Sequence, residues 1–541
     1  MARTPLFALL RQTTRIVMAS QREGIPGREA VEAMRVSRRS LLKGATVLGA
    51  GLVAGGAPSA VAGPLGLGGR TGPLRVGVVG AGIAGLACAY DLKRAGITAT
   101  LHETNERVGG RVFSMGGAFP GPVSFPGQVV ERGGEFIDTG HKTMLGYAQE
   151  FNLPKESLTK VPGEVFYYFG GQRYPESVVV EEYRAFVAAM RPDLQALSGA
   201  PSADLFTPVD RQYDLMSLRQ YLETRGAGPV LKAALSAAYE AEYGLSVDQQ
   251  SCLNFLFFIR ANRRSRFEPF GVSDERYHLV GGNQQIPREL AARLPGQLRH
   301  GERLEAARKT AAGAVELTFR RGSTSVVATY DAVVFAIPFT VLRNVALDVS
   351  LGLPAWKTHA IRNLGYGNNA KMMVGFNGPV WAELGSNGSS YSDLPSHQAT
   401  WETNPASATM QSAVLTDYAS AGRAVALDPR NVAREAERFV ADLNKVYPGA
   451  ASRVKRDAGG KIVAHLEHWP SNPNTLGSYT CYRPGQFTSI CGNEGKPVDN
   501  LFFAGEHANS FYWWQGFMEG AALSGKDAAA AILAKVKTGE L

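Results

Sequence analysis

The chain has 541 residues, 45% of them hydrophobic and only 19% charged. That is enough apolar material to bury a large core in two closely connected domains, and it excludes disorder over most of the length. The formal charge of +9 is no argument for a nucleic-acid partner, because residues 1–62 carry nine of the 57 basic side chains and three of the 48 acidic ones, leaving 48 against 45 elsewhere.

Those first 62 residues read as an export leader. Ser37-Arg38-Arg39-Ser40-Leu41-Leu42-Lys43 precedes an apolar, Gly- and Ala-rich run over 44–57, and Ala60-Val61-Ala62 has the small-x-small form of a cleavage site. The apolar run is shorter than the ~20 residues a membrane-spanning helix needs. The pattern predicts a twin-arginine signal, with the twin-arginine export machinery as partner and a periplasmic or secreted destination. Since 36 residues precede Ser37, Met1 and Met34 are alternative starts.

After a Gly-rich linker, residues 74–79 are a short β-branched run, which predicts a buried strand. Gly80-Ala81-Gly82-Ile83-Ala84-Gly85 follows, a helix is expected over 83–95 with Gly96 as its stop, and 97–102 predict a second strand ending at Glu103. This order is a βαβ unit with a dinucleotide fingerprint. Gly80 permits the tight turn, Gly82 lets backbone approach a pyrophosphate, Gly85 lets helix pack on strand, and Glu103 suits ribose hydroxyls. Two further glycine turns come next, Glu106-Arg107-Val108-Gly109-Gly110-Arg111 and Glu131-Arg132-Gly133-Gly134-Glu135.

Residues 140–270 mix helical periodicity with aromatic stretches such as Phe166-Tyr167-Tyr168-Phe169 and carry no nucleotide signature. Strand-like runs return at 315–319 and 332–337, and another helix is expected over 431–446. Lys371 stands before the apolar Met372-Met373-Val374. Residues 501–506, Leu-Phe-Phe-Ala-Gly-Glu, predict a last buried strand leading to an Ala-rich helix over about 516–535. Cys88, Cys252, Cys481 and Cys491 form neither a metal-like CxxC spacing nor a disulfide framework. Free buried thiols are expected, with a local Cys481–Cys491 pairing left open, and no metal is expected.

Four blocks, 80–111, Gly133-Gly134, 364–371 and 477–520, together resemble the flavin-containing amine oxidase family: monoamine oxidases, polyamine oxidases and L-amino acid oxidases. The resemblance implies an α/β fold, α+β overall, with a Rossmann-like FAD-binding domain (73–145, 271–345 and 476–541) and a discontinuous substrate-binding domain (146–270 and 346–475). It implies FAD held by Gly80, Ala81, Gly82, Gly85 and Glu103 on the adenosine side and by Gly110 and Arg111 at the diphosphate. Gly134 and Glu135 would run beside the ring, and Glu506, Phe517 and Met518 would close the site from the other end of the chain. Lys371 matches the family lysine that holds a water against the flavin, and Tyr479 and Phe517 fall at the two aromatic positions flanking the substrate nitrogen. The chain is three residues longer than the monoamine oxidase pattern between Glu506 and Gly520, through Phe511-Tyr512-Trp513-Trp514, so Trp514 is expected to replace or crowd part of that cage. Ser478 stands where monoamine oxidases carry a flavin-linked cysteine, so the FAD is expected to be non-covalent.

The implied reaction is oxidation of an amine-bearing carbon, with dioxygen as acceptor and hydrogen peroxide as product. The tract 477–486 with Gly505-Glu506-His507 looks most like bacterial L-amino acid oxidases. An acid near the ring, Glu135, would favour a basic amino acid such as arginine or lysine. No arginine follows Gly134 to take a substrate carboxylate, and Arg132 or Arg483 are the substitutes considered. A monoamine or polyamine oxidase is the alternative, and a C–C desaturase or a non-catalytic exported flavoprotein are weaker ones. Oligomeric state stays open, a homodimer included.

Overall fold

In a computed structural model, residues 72–158, 162–259, 273–409, 411–510 and 514–541 are described. The expected leader and Phe511-Tyr512-Trp513 lie outside them. The βαβ unit forms as strand Val76–Val79, helix Ile83–Arg94 and strand Ala99–His102, with the two strands parallel. All four residues of Val76–Val79 are buried, so the run lacks a solvent face and the alternation that goes with one.

Distant segments complete the sheet. Leu501–Phe503, Ala332–Phe335, Val76–Val79, Ala99–His102 and Leu298–Arg299 lie side by side in that order, all parallel. The run over 332–337 stops as a strand at Phe335, ahead of Pro338. The run over 501–506 stops at Phe503 and passes into a short 3-10 turn, Glu506–Ala508.

The last helix, Met518–Thr538, lies against Ile83–Arg94. A Cβ on Gly525 would fall 2.1 Å from the Ala84 carbonyl oxygen, so the two helices meet backbone to backbone. Lys526 and Asp91 pair beside that contact at 2.8 Å. Such a partly exposed pair contributes only about 0–1 kcal/mol, leaving close packing as the main attachment.

A second, seven-stranded mixed sheet runs in the order Ala464–His468, Asn369–Phe376, Ala413–Ser420, Ala399–Glu402, Ser386–Ser392, Glu164–Phe169 and Gln172–Tyr174. Its second strand, Asn369–Phe376, is buried at every position. Helix Pro229–Tyr243 packs against this sheet and ends at Gly244, whose φ of 70° supplies the left-handed C-cap. The helix expected over 431–446 forms as Val432–Val446, and the Asn431 side chain accepts from Arg434 N. All four cysteines are free and buried. Among the described residues no helix is long and apolar enough to cross a membrane.

Candidate active site

A cavity of about 820 Å³ extends from the βαβ turn to the face of the seven-stranded sheet. At the turn, Gly80 has φ +101° and a Cβ there would meet the Ala336 carbonyl oxygen at 2.7 Å, so only glycine fits. A Cβ on Gly85 would fall 1.9 Å from the Gly80 carbonyl oxygen, which makes glycine a condition of helix and strand packing this closely.

This end fits the expected FAD on two structural grounds. Helix Ile83–Arg94 begins at Gly82 with no side-chain cap and no acidic residue in its first turn, and Gly82, Ile83 and Ala84 line the cavity. Its first N–H groups and the positive end of its dipole are therefore free to meet phosphate oxygens. A Cβ on Gly82 would meet nothing within 4 Å, so the backbone borders open space. Glu103 also lines this end, its carboxylate accepting from Ala81 N at 2.9 Å and from Asn105 N at 2.8 Å. Ala81 and Gly85 stand behind the wall and shape it.

The C-terminal segment closes the same space. Arg111 Nη1 donates to Glu506 Oε1 at 2.9 Å and to the Ser478 carbonyl at 2.5 Å. The other Glu506 oxygen accepts from Gly516 N at 3.0 Å. Glu506 thus joins Arg111 to the turn that precedes the last helix, across 395 residues of sequence. Gly110, Gly134, Phe517 and Met518 also line the cavity. Phe517 is extended and the helix starts at Met518, two residues later than its sequence suggests.

The sheet face carries the other half. Lys371 pairs in register with Tyr418 across one strand boundary, and Tyr391 with Ala399 across another. These four, with Ser389, Thr400 and Trp401, line the cavity. Trp401 meets Tyr418 edge to face, with centroids 5.5 Å apart. The Tyr479 hydroxyl donates to the Glu242 carbonyl at 2.6 Å, so in its 3.1 Å contact with Tyr418 it is the acceptor. Burial pushes the Tyr418 and Tyr479 phenols upward, and both stay neutral.

Lys371 is 3% exposed and its ammonium has three protein acceptors: Glu135 Oε2 at 2.6 Å, the Gly133 carbonyl at 2.8 Å and the Glu131 carbonyl at 3.1 Å. An ammonium has three donors, so none is spare for a water in this geometry. Glu135 receives a further bond from Trp401 Nε1 at 2.9 Å. Glu135 is therefore not the unmatched acid from which a basic substrate was expected, because its charge is already answered by Lys371. Burial pushes the neighbouring Glu131 up to about 8, although Asn283 N and Ser114 Oγ both donate to it.

Three other expectations meet a different geometry. Trp514 is not among the residues lining the cavity; it packs edge to face on His141, centroids 4.4 Å apart, and against Gly140. Phe517 touches the same His141 ring, at 5.2 Å. The rings grouped with Tyr479 are Tyr418 and Trp401. Arg132 is held by Glu467 at 2.6 Å and lies on Phe113, and Arg483 is exposed; neither lines the cavity.

Sequence reasoning did not single out Trp401, Tyr418, Tyr391, Glu242 or Glu275. Tyr418 sits on Ala413–Ser420, where all positions but its own are buried, so no alternation marks the cavity side, whereas Tyr391 sits on Ser386–Ser392, which does alternate but whose Ser- and Gly-rich sequence does not read as a strand. Glu242 carries a weak signal, an acid in the last turn of an apolar helix, where the dipole disfavours negative charge.

Residues 83–533 match the family described as flavin containing amine oxidoreductase. An L-amino-acid oxidase of Pseudechis australis is 23% identical over 82% of this chain and 84% of its own. An Arabidopsis thaliana protein named "Probable polyamine oxidase 4" is 27% identical over 84% of this chain and 85% of its own. Among solved structures, cyclohexylamine oxidase from Brevibacterium oxydans IH-35A has the same fold, with a TM-score of 0.71 at 19% identity, covering 86% of this chain and 99% of that one.

Proposed function

Because the chain belongs to the flavin-containing amine oxidoreductase family, we propose that it converts an L-amino acid, water and dioxygen to the 2-oxo acid, ammonia and hydrogen peroxide. It is a flavin-dependent amine oxidase, and its cofactor is FAD, bound without a covalent link. The observation that carries amine oxidation is the sharing of one cavity by the Gly80–Gly82 turn and by the Lys371, Tyr418, Trp401 and Tyr479 group, and the amino-acid reading is supported by the L-amino-acid oxidases among the chain's relatives.

FAD held there would supply two-electron redox chemistry, as acceptor from the carbon bearing the amine and donor to dioxygen. The residues here supply the rest. Arg111, Glu103 and the open helix start hold the charged and hydroxylated parts of the dinucleotide. Trp401, Tyr418 and Tyr479 form an aromatic wall that attracts an ammonium by its π faces and orients it. The Lys371–Glu135 pair fixes the backbone from Glu131 to Gly133 beside this wall. Water then replaces nitrogen at the oxidised carbon, which releases ammonia.

A second reading, oxidation of a diamine or polyamine, is favoured by a specific observation. At the aromatic end the one lining cation among the described residues is Lys371, already paired, so none there is free to take a substrate carboxylate. A peroxide assay across the twenty amino acids and a set of mono-, di- and polyamines separates the readings. Peroxide from one or more L-amino acids supports the first, peroxide from amines alone moves the assignment to the second, and no peroxide from any of them overturns both. The leader over 37–62 supports export through the twin-arginine route, which is tested by finding the folded, flavin-loaded protein outside the cytoplasm and its loss on Arg38→Lys/Arg39→Lys.

A further inference from the structure

We infer that Glu242 and Glu275 form a receptor for a second cationic group of the substrate, an ammonium or guanidinium carried away from the nitrogen that is oxidised. The inference rests on the amine-oxidation reading and names the substrate class within it.

Both residues line the cavity at its aromatic end. Among the described residues neither carboxyl has a hydrogen-bond or ion-pair partner, whereas Glu135, the third acid of that wall, is matched by Lys371 and Trp401. Among the described residues the site therefore presents two carboxyl groups and no free cation. Tyr391 and Tyr418 feel the negative charge of both, and Tyr479 that of Glu242, so the acids and the rings share one neighbourhood.

Two features of the backbone aim the site at a cation. Ala241, Glu242 and Tyr243 close helix Pro229–Tyr243, and the partial negative charge of a helix C-terminus adds to that of the side chain. Glu275 has φ 39°, the left-handed region that a side chain bearing a Cβ occupies only when its surroundings impose it. A reciprocal clasp imposes it here. Asp138 accepts from Glu275 N at 2.9 Å and Ser273 Oγ at 2.8 Å, and Asp274 accepts from Thr139 N at 2.9 Å and Thr139 Oγ1 at 2.6 Å. Backbone strain held by two carboxylates, with the side chain delivered to a cavity wall, marks a position kept for a ligand.

Charge balance agrees. Desolvation raises both carboxyls, Glu242 to about 8, and Glu275 is raised further by the negative charges of Glu242, Asp138 and Glu135, against which Lys371 acts. A bound cation beside them restores the ionised form, and the rings of Tyr391, Tyr418 and Trp401 line the same cavity.

The test uses substrate pairs that share the reacting end and differ in the distal charge: 1,4-diaminobutane with butylamine, and L-lysine with L-norleucine. Holoenzymes of wild type, Glu242→Gln and Glu275→Gln are compared by kcat/KM. Binding is measured separately by calorimetry on dithionite-reduced holoenzyme under nitrogen, where no oxidation can follow. The expected result is that wild type prefers the charged member of at least one pair by about tenfold or more, and that each variant loses about tenfold for that member while changing the neutral-tailed one by no more than roughly twofold. The pair that responds tells an amino acid from a diamine. Equal handling of both members by wild type, or equal losses for both in the variants, overturns the inference while leaving amine oxidation standing. Tighter binding of the charged member without turnover of any substrate supports the receptor and overturns the oxidase reading instead.

Discussion

Replacing Lys371 by Met removes a cation that is 4% exposed at its side chain and leaves the Glu135 carboxylate, 2% exposed, with Trp401 Nε1 as its remaining donor among the described residues. The Gly133 and Glu131 carbonyls lose the same donor. Breaking a buried ion pair from one side costs about 3–5 kcal/mol, because the orphaned charge keeps its desolvation penalty. For a chain of this size that corresponds to a fall in Tm of roughly 3–5 °C. Adding Glu135→Gln removes the orphaned charge yet keeps an acceptor for the indole, so the double variant is expected to recover about half of the loss. Scanning calorimetry on preparations matched for flavin content, with Glu135→Gln alone as the fourth corner, measures the coupling. A Lys371→Met enzyme melting within about 1 °C of wild type, or a double variant less stable than Lys371→Met, refutes the reasoning that the lysine holds this wall by charge.

Arg111→Ala leaves Glu506 buried with backbone donors alone, and is expected to weaken FAD binding by at least about tenfold through the loss of a charge-assisted bond; unchanged retention of flavin on dialysis would count against it. Wild-type flavin is expected to separate from the polypeptide on acid precipitation, since Ser478 cannot form a thioether. For Glu131 the folded carboxyl titrates near 8 against 4.5 in the unfolded chain. Between these values the unfolded state gives up a proton that the folded state keeps, so stability falls as pH rises, by about 1.4 kcal/mol per unit at most, and is level below and above. Glu131→Gln should flatten that decline in Tm between pH 5 and pH 8, and an unaltered pH profile would show that Glu131 does not titrate as described.

The nucleotide half of the site was legible because its constraints are local. Gly80, Gly82, Gly85 and Glu103 lie within 24 consecutive residues, and each glycine answers a steric demand inside that stretch. That Arg111 and Glu506 belong to one site was legible through resemblance alone, since nothing in spacing joins residues so far apart, and their ion pair was not foreseen. The sheet face was less so. Tyr418 meets Lys371 because of a register set by pairing between strands, and apart from Tyr418 itself every position of both strands is buried, so the period-two signal that marks a face is missing. Trp514 was placed by counting residues in an insertion, and its ring instead found His141. Glu275 was invisible because its importance comes from a backbone conformation, and composition does not report one.

The backbone-to-backbone meeting of helices Ile83–Arg94 and Met518–Thr538 also constrains how the molecule can be made. Ala84 and Gly525 are more than 400 residues apart in the chain, and the strand Leu501–Phe503 that flanks Ala332–Phe335 is synthesised late. Contacts of such separation form slowly, because a long loop must close before they are gained. A nascent chain still lacking this last segment has its glycine turn and Glu103 but neither Glu506 nor the packing helix. On the proposed two-ended binding, tight retention of the dinucleotide then waits until this segment has been made and docked, and until that moment the edge of Ala332–Phe335 stands open to wrong partners.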